Sequence, residues 1–166
     1  MDAAGPPGFG MVTTETLVDL ARARRIAESV VDPEIPVLSI VDLGILRDVQ
    51  VESDRVVVTI TPTYSGCPAM GQIEDDLRSA LGRAGFHRVE VVMAHHPAWS
   101  SDWITPEGHR KLAAFGIAPP GPLDDVLCPQ CQSNGPRMIA RFGSTACKAL
   151  LVCSVCGEPF DYFKEF

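Results

Sequence analysis

Cys128-Pro129-Gln130-Cys131 and Cys153-Ser154-Val155-Cys156 are two C-x-x-C pairs separated by 21 residues. Two cysteines three positions apart on a tight turn direct both sulfurs at one ion. Two such turns supply the four thiolates that a tetrahedral Zn²⁺ takes, with Zn–S near ~2.3 Å. The segment of about 40 residues that carries them cannot bury enough surface to fold alone, so ligation supplies its stability, on the order of 10 kcal/mol or more. A structural zinc ribbon is the first reading. The alternative is a rubredoxin-like iron centre for electron transfer, because Cys156 is followed by Gly157 as in such knuckles, although Gln132 stands in that place in the first pair.

Cys67 stands apart, directly before Pro68 at the start of an expected helix. Unpaired backbone N–H groups and the helix dipole there favour a thiolate over a thiol, which makes the sulfur reactive or metal-binding. Thr63, Tyr64 and Ser65 are close enough in the chain to hydrogen-bond the sulfur or a bound ion. Buried filler is the plainer use of a lone cysteine, and the residues alone leave both uses open. Cys147, in Gly143-Ser144-Thr145-Ala146-Cys147, is a fifth cysteine beyond the four a ribbon needs. It is either a spare thiol or a group that approaches Cys67 to complete a transient site. Asp32, Glu34 and Asp42 flank a proline-rich turn and the Asp42-Leu43-Gly44 turn, where acids commonly cap backbone groups. Structural use is favoured for them, with a polar shell around a metal site as the second reading. His95 and His96 are adjacent and point to opposite faces of an extended segment, so neither is expected to ligate. Trp99 and Trp103 suit either a core lid or a docking anchor.

The 166 residues carry 14 Lys and Arg against 21 Asp and Glu, a formal charge of −7, the wrong sign for broad contact with nucleic acid or an anionic membrane surface. The opening MDAAGPPGFG lacks the basic and apolar stretches of an export signal, which points to the cytoplasm, where clustered cysteines bind metal rather than pair as disulfides. No Glu is followed three residues later by His, so the Glu-x-x-His pairs of a di-iron helix bundle are missing. Phosphate-binding glycine loops and the G-x-S-x-G elbow are missing too, and a self-contained enzyme is not expected.

The elements that position these groups follow from periodicity. Apolar residues at three-to-four spacing predict a helix over Thr14 to Val30, stopped by Asp32-Pro33-Glu34-Ile35-Pro36. β-branched runs at Ile45 to Val51 and Arg55 to Thr61 flank the turn Glu52-Ser53-Asp54 and predict an antiparallel hairpin. Pro68 opens a helix that Gly85 ends, Val89 to Met93 is a third strand, and Thr105-Pro106-Glu107 starts a helix closed at Gly116. The expected fold is α+β: one small sheet with helices on one face, followed by a small four-cysteine ribbon. Residues 1–12 are expected to be a flexible arm, 13–116 the α/β domain, 117–125 a Pro/Gly linker and 126–166 the ribbon. Phe160, Tyr162, Phe163 and Phe166 form an aromatic end that either docks a partner or closes the ribbon's own core.

Asp32-Pro33-Glu34-Ile35-Pro36, Val41-Asp42-Leu43-Gly44 and Thr61-Pro62-Thr63-Tyr64-Ser65-Gly66-Cys67-Pro68 occur in the order found in the MIP18 family (domain of unknown function 59), which the first domain resembles. Pro97-Ala98-Trp99, Asp102-Trp103-Ile104-Thr105-Pro106-Glu107-Gly108, Phe142-Gly143-Ser144-Thr145-Ala146-Cys147-Lys148 and Glu158-Pro159-Phe160-Asp161-Tyr162-Phe163-Lys164 extend the likeness. Together they are similar to the PaaD family, small components of bacterial phenylacetyl-CoA epoxidase systems. The resemblance implies a non-catalytic accessory component that assists iron or iron–sulfur cluster assembly, with the family's loop cysteine at Cys67. Its partners would be the oxygenase subunits and the flavin and iron–sulfur reductase of that system. A stably bound structural or regulatory subunit is the alternative, and dimerisation through a shared site stays open.

Overall fold

The computed structural model describes residues 14–52 and 55–166; the expected arm and the turn residues Ser53 and Asp54 lie outside them. Helix α1 (Thr14–Glu28) is followed by β1 (Leu46–Glu52), β2 (Arg55–Ile60), α2 (Ala69–Arg83), β3 (Val89–Met93) and α3 (Pro106–Ala114). β2 is the middle strand, antiparallel to β1 and parallel to β3. Its side chains alternate, so Val56, Val58 and Ile60 all enter the core. The helices cover that face with Ala23 and Ala27 of α1 and Ile73, Leu77 and Leu81 of α2. α1 ends at Glu28, two residues short of the expected Val30, because the chain turns there toward the buried loop of Ile35, Leu38 and Ile40.

The proline-rich loop and α3 are locked together by one buried acid. The Asp42 carboxylate accepts the Ser39 N–H at 2.8 Å, the Ser39 hydroxyl at 2.9 Å and the Lys111 ammonium at 2.7 Å. The Asp42 carbonyl also accepts the Thr105 N–H, and Gly108 passes so close that a Cβ there would lie 2.6 Å from that oxygen. Trp99 is buried and donates its indole N–H to the Leu43 carbonyl at 2.8 Å, which makes it a core lid. Trp103 is half-buried with the Arg47 guanidinium 3.9 Å from its ring centroid.

The second sheet has the order β4-β7-β6-β5, from β4 (Ile117–Ala118), β5 (Arg137–Ala140), β6 (Lys148–Val152) and β7 (Pro159–Phe163). Ile117 and Ala118, expected to begin a linker, are instead buried and pair in parallel with Asp161 and Tyr162. Their apolar side chains gain more from this sheet than from a solvated spacer. The aromatic residues divide in the same way. Phe160 and Tyr162 fill the ribbon's small core, Phe163 enters the first domain's core beside Ile117 and Cys147, and Phe166 is partly exposed. The first three rings are buried and close the molecule's own cores rather than face a partner, while Phe166 stacks on Tyr64 and meets Trp99 edge-on. Among the described residues no helix is long and apolar enough to cross a membrane.

Candidate metal centre and thiol junction

The two C-x-x-C turns have the same backbone. In each, the N–H four residues after the first cysteine donates to that cysteine's carbonyl: Gln132 to Cys128 at 2.9 Å, Gly157 to Cys153 at 3.1 Å. The first cysteine's own N–H bonds the carbonyl five residues on, Ser133 and Glu158 respectively. Closing such a turn takes a left-handed residue, and Gln132 at φ 60° does what Gly157 does at φ 77°. The Gln132 side chain offsets part of that strain by donating to the Cys128 carbonyl at 3.1 Å.

The four sulfurs of Cys128, Cys131, Cys153 and Cys156 all lie within 4.8 Å of one another. Cys153 Sγ accepts the N–H groups of Val155 and Cys156 at 3.4 Å, and the Ser133 hydroxyl lies 3.0 Å away. The Cys156 N–H, Ser133 and the Val155 N–H outweigh desolvation and pull the Cys153 thiol down to about 5. Cys156 moves the other way, to about 12: the Glu158 N–H favours its thiolate, but desolvation and the neighbouring sulfurs overcome it. Four thiolates this close cannot all ionise without a cation among them, so the donor set and its N–H···S bonds fit a bound metal. Ser133, which touches two of the sulfurs, was not foreseen; its place two residues past Cys131 was the available signal.

Cys67 and Cys147 come from opposite halves of the chain and both pack into the first domain's core. Cys67 precedes α2, with its N–H bonded to the Tyr64 carbonyl and its side chain packed against the first domain's core. Cys147 precedes β6, is buried in that same core, and is an electrostatic neighbour of Cys67. Its Sγ lies 3.0 Å from the Thr145 hydroxyl and 3.9 Å from Glu34 Oε2. Asp32 holds the turn beneath Glu34, its Oδ1 accepting the N–H groups of Glu34 and Ile35 at 2.8 Å.

The helix start was expected to make Cys67 a thiolate, and the structure reverses this. Burial raises its pKa; bonds from the Ala69 N–H and Thr63 oppose the rise, and Glu34 and Asp32 add to it. Burial likewise raises Cys147, Asp32 and Glu34. Tyr64, bonded to Cys67, is pushed up to about 12 by desolvation and by the Cys67 and Glu34 charges. The balancing charge is Lys148, buried beside Cys147 and paired to Asp161 at 3.3 Å, which acts on both Asp32 and Glu34. The sequence reading did not single it out; a lysine inside the apolar run Cys147-Lys148-Ala149-Leu150-Leu151 was the signal.

The expected polar shell therefore splits. Thr63 is buried and bonds Cys67, while Ser65 is exposed at the mouth of a cavity of about 180 Å³ that His95, Trp99 and Phe166 also line. Asp42 is committed to Ser39 and Lys111; burial raises its carboxyl, but those bonds outweigh it and hold the group below the usual carboxylate value.

The described residues thus form a loop-cysteine α+β domain joined through a shared core to a four-cysteine ribbon. Two family patterns match these modules: an iron–sulfur cluster assembly protein over residues 21–92 and a PaaD zinc beta ribbon domain over 118–164. A protein of Escherichia coli named as the D component of a 1,2-phenylacetyl-CoA epoxidase is 47% identical over 140 residues, 80% of this chain and 85% of that protein. The chain belongs to this PaaD family. An Fe–S protein maturation auxiliary factor of Porphyromonas gingivalis is 36% identical over 53% of the chain and 85% of its own length. A crystal structure of a DUF59 domain from Bacillus anthracis superposes with a TM-score of 0.54 at 29% identity, covering 59% of this chain and 94% of that one.

Proposed function

We propose that this chain is a non-catalytic accessory subunit of a phenylacetyl-CoA ring-epoxidising oxygenase in phenylacetate degradation, and that it assists iron or iron–sulfur cluster insertion into its partners. The observation that carries the proposal is the Cys147 sulfur 3.9 Å from Glu34 Oε2 across the joint between the assembly-type domain and the ribbon, with Cys67 an electrostatic neighbour of both. The ribbon thiols are drawn within 4.8 Å of one another, whereas the junction groups are more loosely spread. An incomplete donor set suits cargo that is received and passed on, because the recipient's fuller site then binds it more tightly. Iron entering the junction displaces the thiol protons of Cys67 and Cys147 and finds the carboxylates of Glu34 and Asp32 close by. The ribbon holds Zn²⁺ as structure, and the recipients are the oxygenase subunits or the iron–sulfur flavin reductase in the cytoplasm.

The experiment measures iron per oxygenase and per reductase, prepared anaerobically from cells that carry the wild-type chain, no chain, Cys67→Ser or Cys147→Ser. Recipient iron falls without the chain and with Cys67→Ser, while the variant still accumulates as a folded, zinc-loaded protein. Fully loaded recipients in cells without the chain overturn the proposal in favour of a stably bound structural or regulatory subunit. A coloured, iron-filled ribbon would instead make it a rubredoxin-like carrier, since d¹⁰ zinc absorbs no visible light.

A further inference from the structure

We infer that the outer edge of the ribbon sheet is a docking groove for an acidic segment of a partner protein that carries an apolar anchor. This inference rests on the ribbon surface and is independent of the junction thiols. β5 is the free edge of the sheet, and Arg137, Met138 and Ile139 on it, with Arg141 and Phe142 beyond it, are all exposed. Phe142 is 68% exposed, with the Lys164 ammonium 4.5 Å from its ring centroid. Beside it lies a groove of about 420 Å³ in which Leu123, Met138, Phe142 and Tyr162 supply apolar surface, Arg141 and Lys164 supply cations, and Glu165 supplies one carboxylate.

The charge arrangement selects the occupant. The chain has a net charge of −7, yet two of the ribbon's four bases, Arg141 and Lys164, line this groove and a third, Arg137, stands on β5 outside its lining, while the fourth, Lys148, is buried against Asp161. Among the described residues neither arginine has an ion-pair partner, and the Lys164 ammonium faces the rings of Phe142 and Phe166. Uncompensated cations around apolar surface complement carboxylates that flank an aromatic or aliphatic side chain. Three bases are too few to track a nucleic-acid backbone. A bulge between Met138 and Ala140 interrupts the edge ladder, so an incoming segment is read by side chains in the groove rather than by continuous strand addition. Edge protection alone accounts for Arg137 and the bulge, but not for Phe142.

The test titrates the zinc-loaded, ¹⁵N-labelled full chain with a short Asp/Glu-rich peptide bearing one Phe and one Leu, and follows amide shifts. Comparators are the same peptide with Ser for Phe and Leu, with Lys for the acids, and inorganic phosphate alone. Shifts confined to residues 138–142 and Lys164, binding at least about tenfold weaker for either altered peptide, and weakening by added salt support the inference. Arg141→Glu and Phe142→Ser, both at surface positions, each weaken binding about fivefold or more. Shifts elsewhere, none at millimolar peptide, equal binding of the serine peptide, or the same shifts with phosphate overturn it. Self-association abolished by Phe142→Ser also overturns it, because the occupant is then a second copy.

Discussion

Replacing Lys148 by Met tests whether one buried ammonium holds the two halves of the molecule in register. Lys148 is 7% exposed at its side chain and pairs with Asp161, itself 29% exposed, at 3.3 Å. Removing one member of a buried pair costs about 3–5 kcal/mol, and the partial exposure of Asp161 reduces the expected loss to about 2 kcal/mol near neutral pH. The pH dependence is the sharper signature. Asp32 and Glu34 already have pKa values raised in the folded state, chiefly by burial, and Lys148 opposes the rise in both. The folded state therefore holds more protons than the unfolded one between the unfolded values, 3.8 and 4.5, and the raised folded values, so stability falls as pH rises through that window. Without Lys148 both values climb further, the window widens, and the difference from wild type grows with pH. Urea unfolding followed by Trp fluorescence reads this directly, because Trp99 packs on Phe163 and Phe166 at the joint. The measurement runs from about pH 4.5, the ordinary glutamate value, to about pH 8.5, with zinc in excess and ribbon zinc content checked at each pH. A loss below about 0.5 kcal/mol, or one that is flat with pH, would refute the electrostatic account.

Chelating the ribbon metal, or replacing Cys153 by Ser, is expected to unfold residues 118–164 and shift Trp99 emission to the red as Phe163 leaves its ring; zinc content by mass spectrometry and fluorescence check this. Gly157→Ala strains a φ of 77° and costs about 1 kcal/mol, whereas Gln132→Gly stays within about 0.5 kcal/mol because relief at φ 60° is offset by the lost side-chain bond, as zinc-loaded denaturation curves will show. Gly108→Ala drives a Cβ to 2.6 Å from the Asp42 carbonyl and costs about 2 kcal/mol or more, read as a lowered melting temperature. Asp42→Asn destabilises near neutral pH by about 1–2 kcal/mol. Since the Asp42 pKa is lowered on folding, its contribution is present above 3.8 and is lost as pH falls through the folded value, so the variant and wild type converge in acid.

What the sequence made legible is what local spacing controls. The ribbon quartet follows from two turns whose geometry is set within a few residues, and Pro68 marks the start of α2 and so the place of Cys67. The β-branched runs mark β1 and β2, although three consecutive valines in β2 leave its buried face to be chosen by the helices that cover it. What escaped depends on residues far apart in the chain. The raised pKa of Cys67 comes first from burial in a core that the whole domain assembles, with Glu34 and Asp32 from a loop preceding the sheet adding to it, and the helix-start argument contained none of these. β4 is two residues long in a proline-rich stretch and becomes a strand through a parallel partner in β7. Lys148 was not singled out because Asp161, its partner, lies on the neighbouring strand, 13 positions away in the chain. Gln132 departs from the glycine pattern, yet its backbone obeys it, because the turn's hydrogen bonds dictate φ more strongly than the side chain resists it.

The shared core has a consequence for timing. Cys147, Phe163 and Ile117 are delivered to the first domain by the strands that the ribbon fold assembles. If metal closes the ribbon, Cys147 takes its place in the first domain's core only after that closure, so under the proposed function the order is fixed: ribbon metal first, transferred iron afterwards. A newly made chain short of ribbon metal would then leave Cys147 unplaced in that core, and on the proposed function such a chain would pass no iron on.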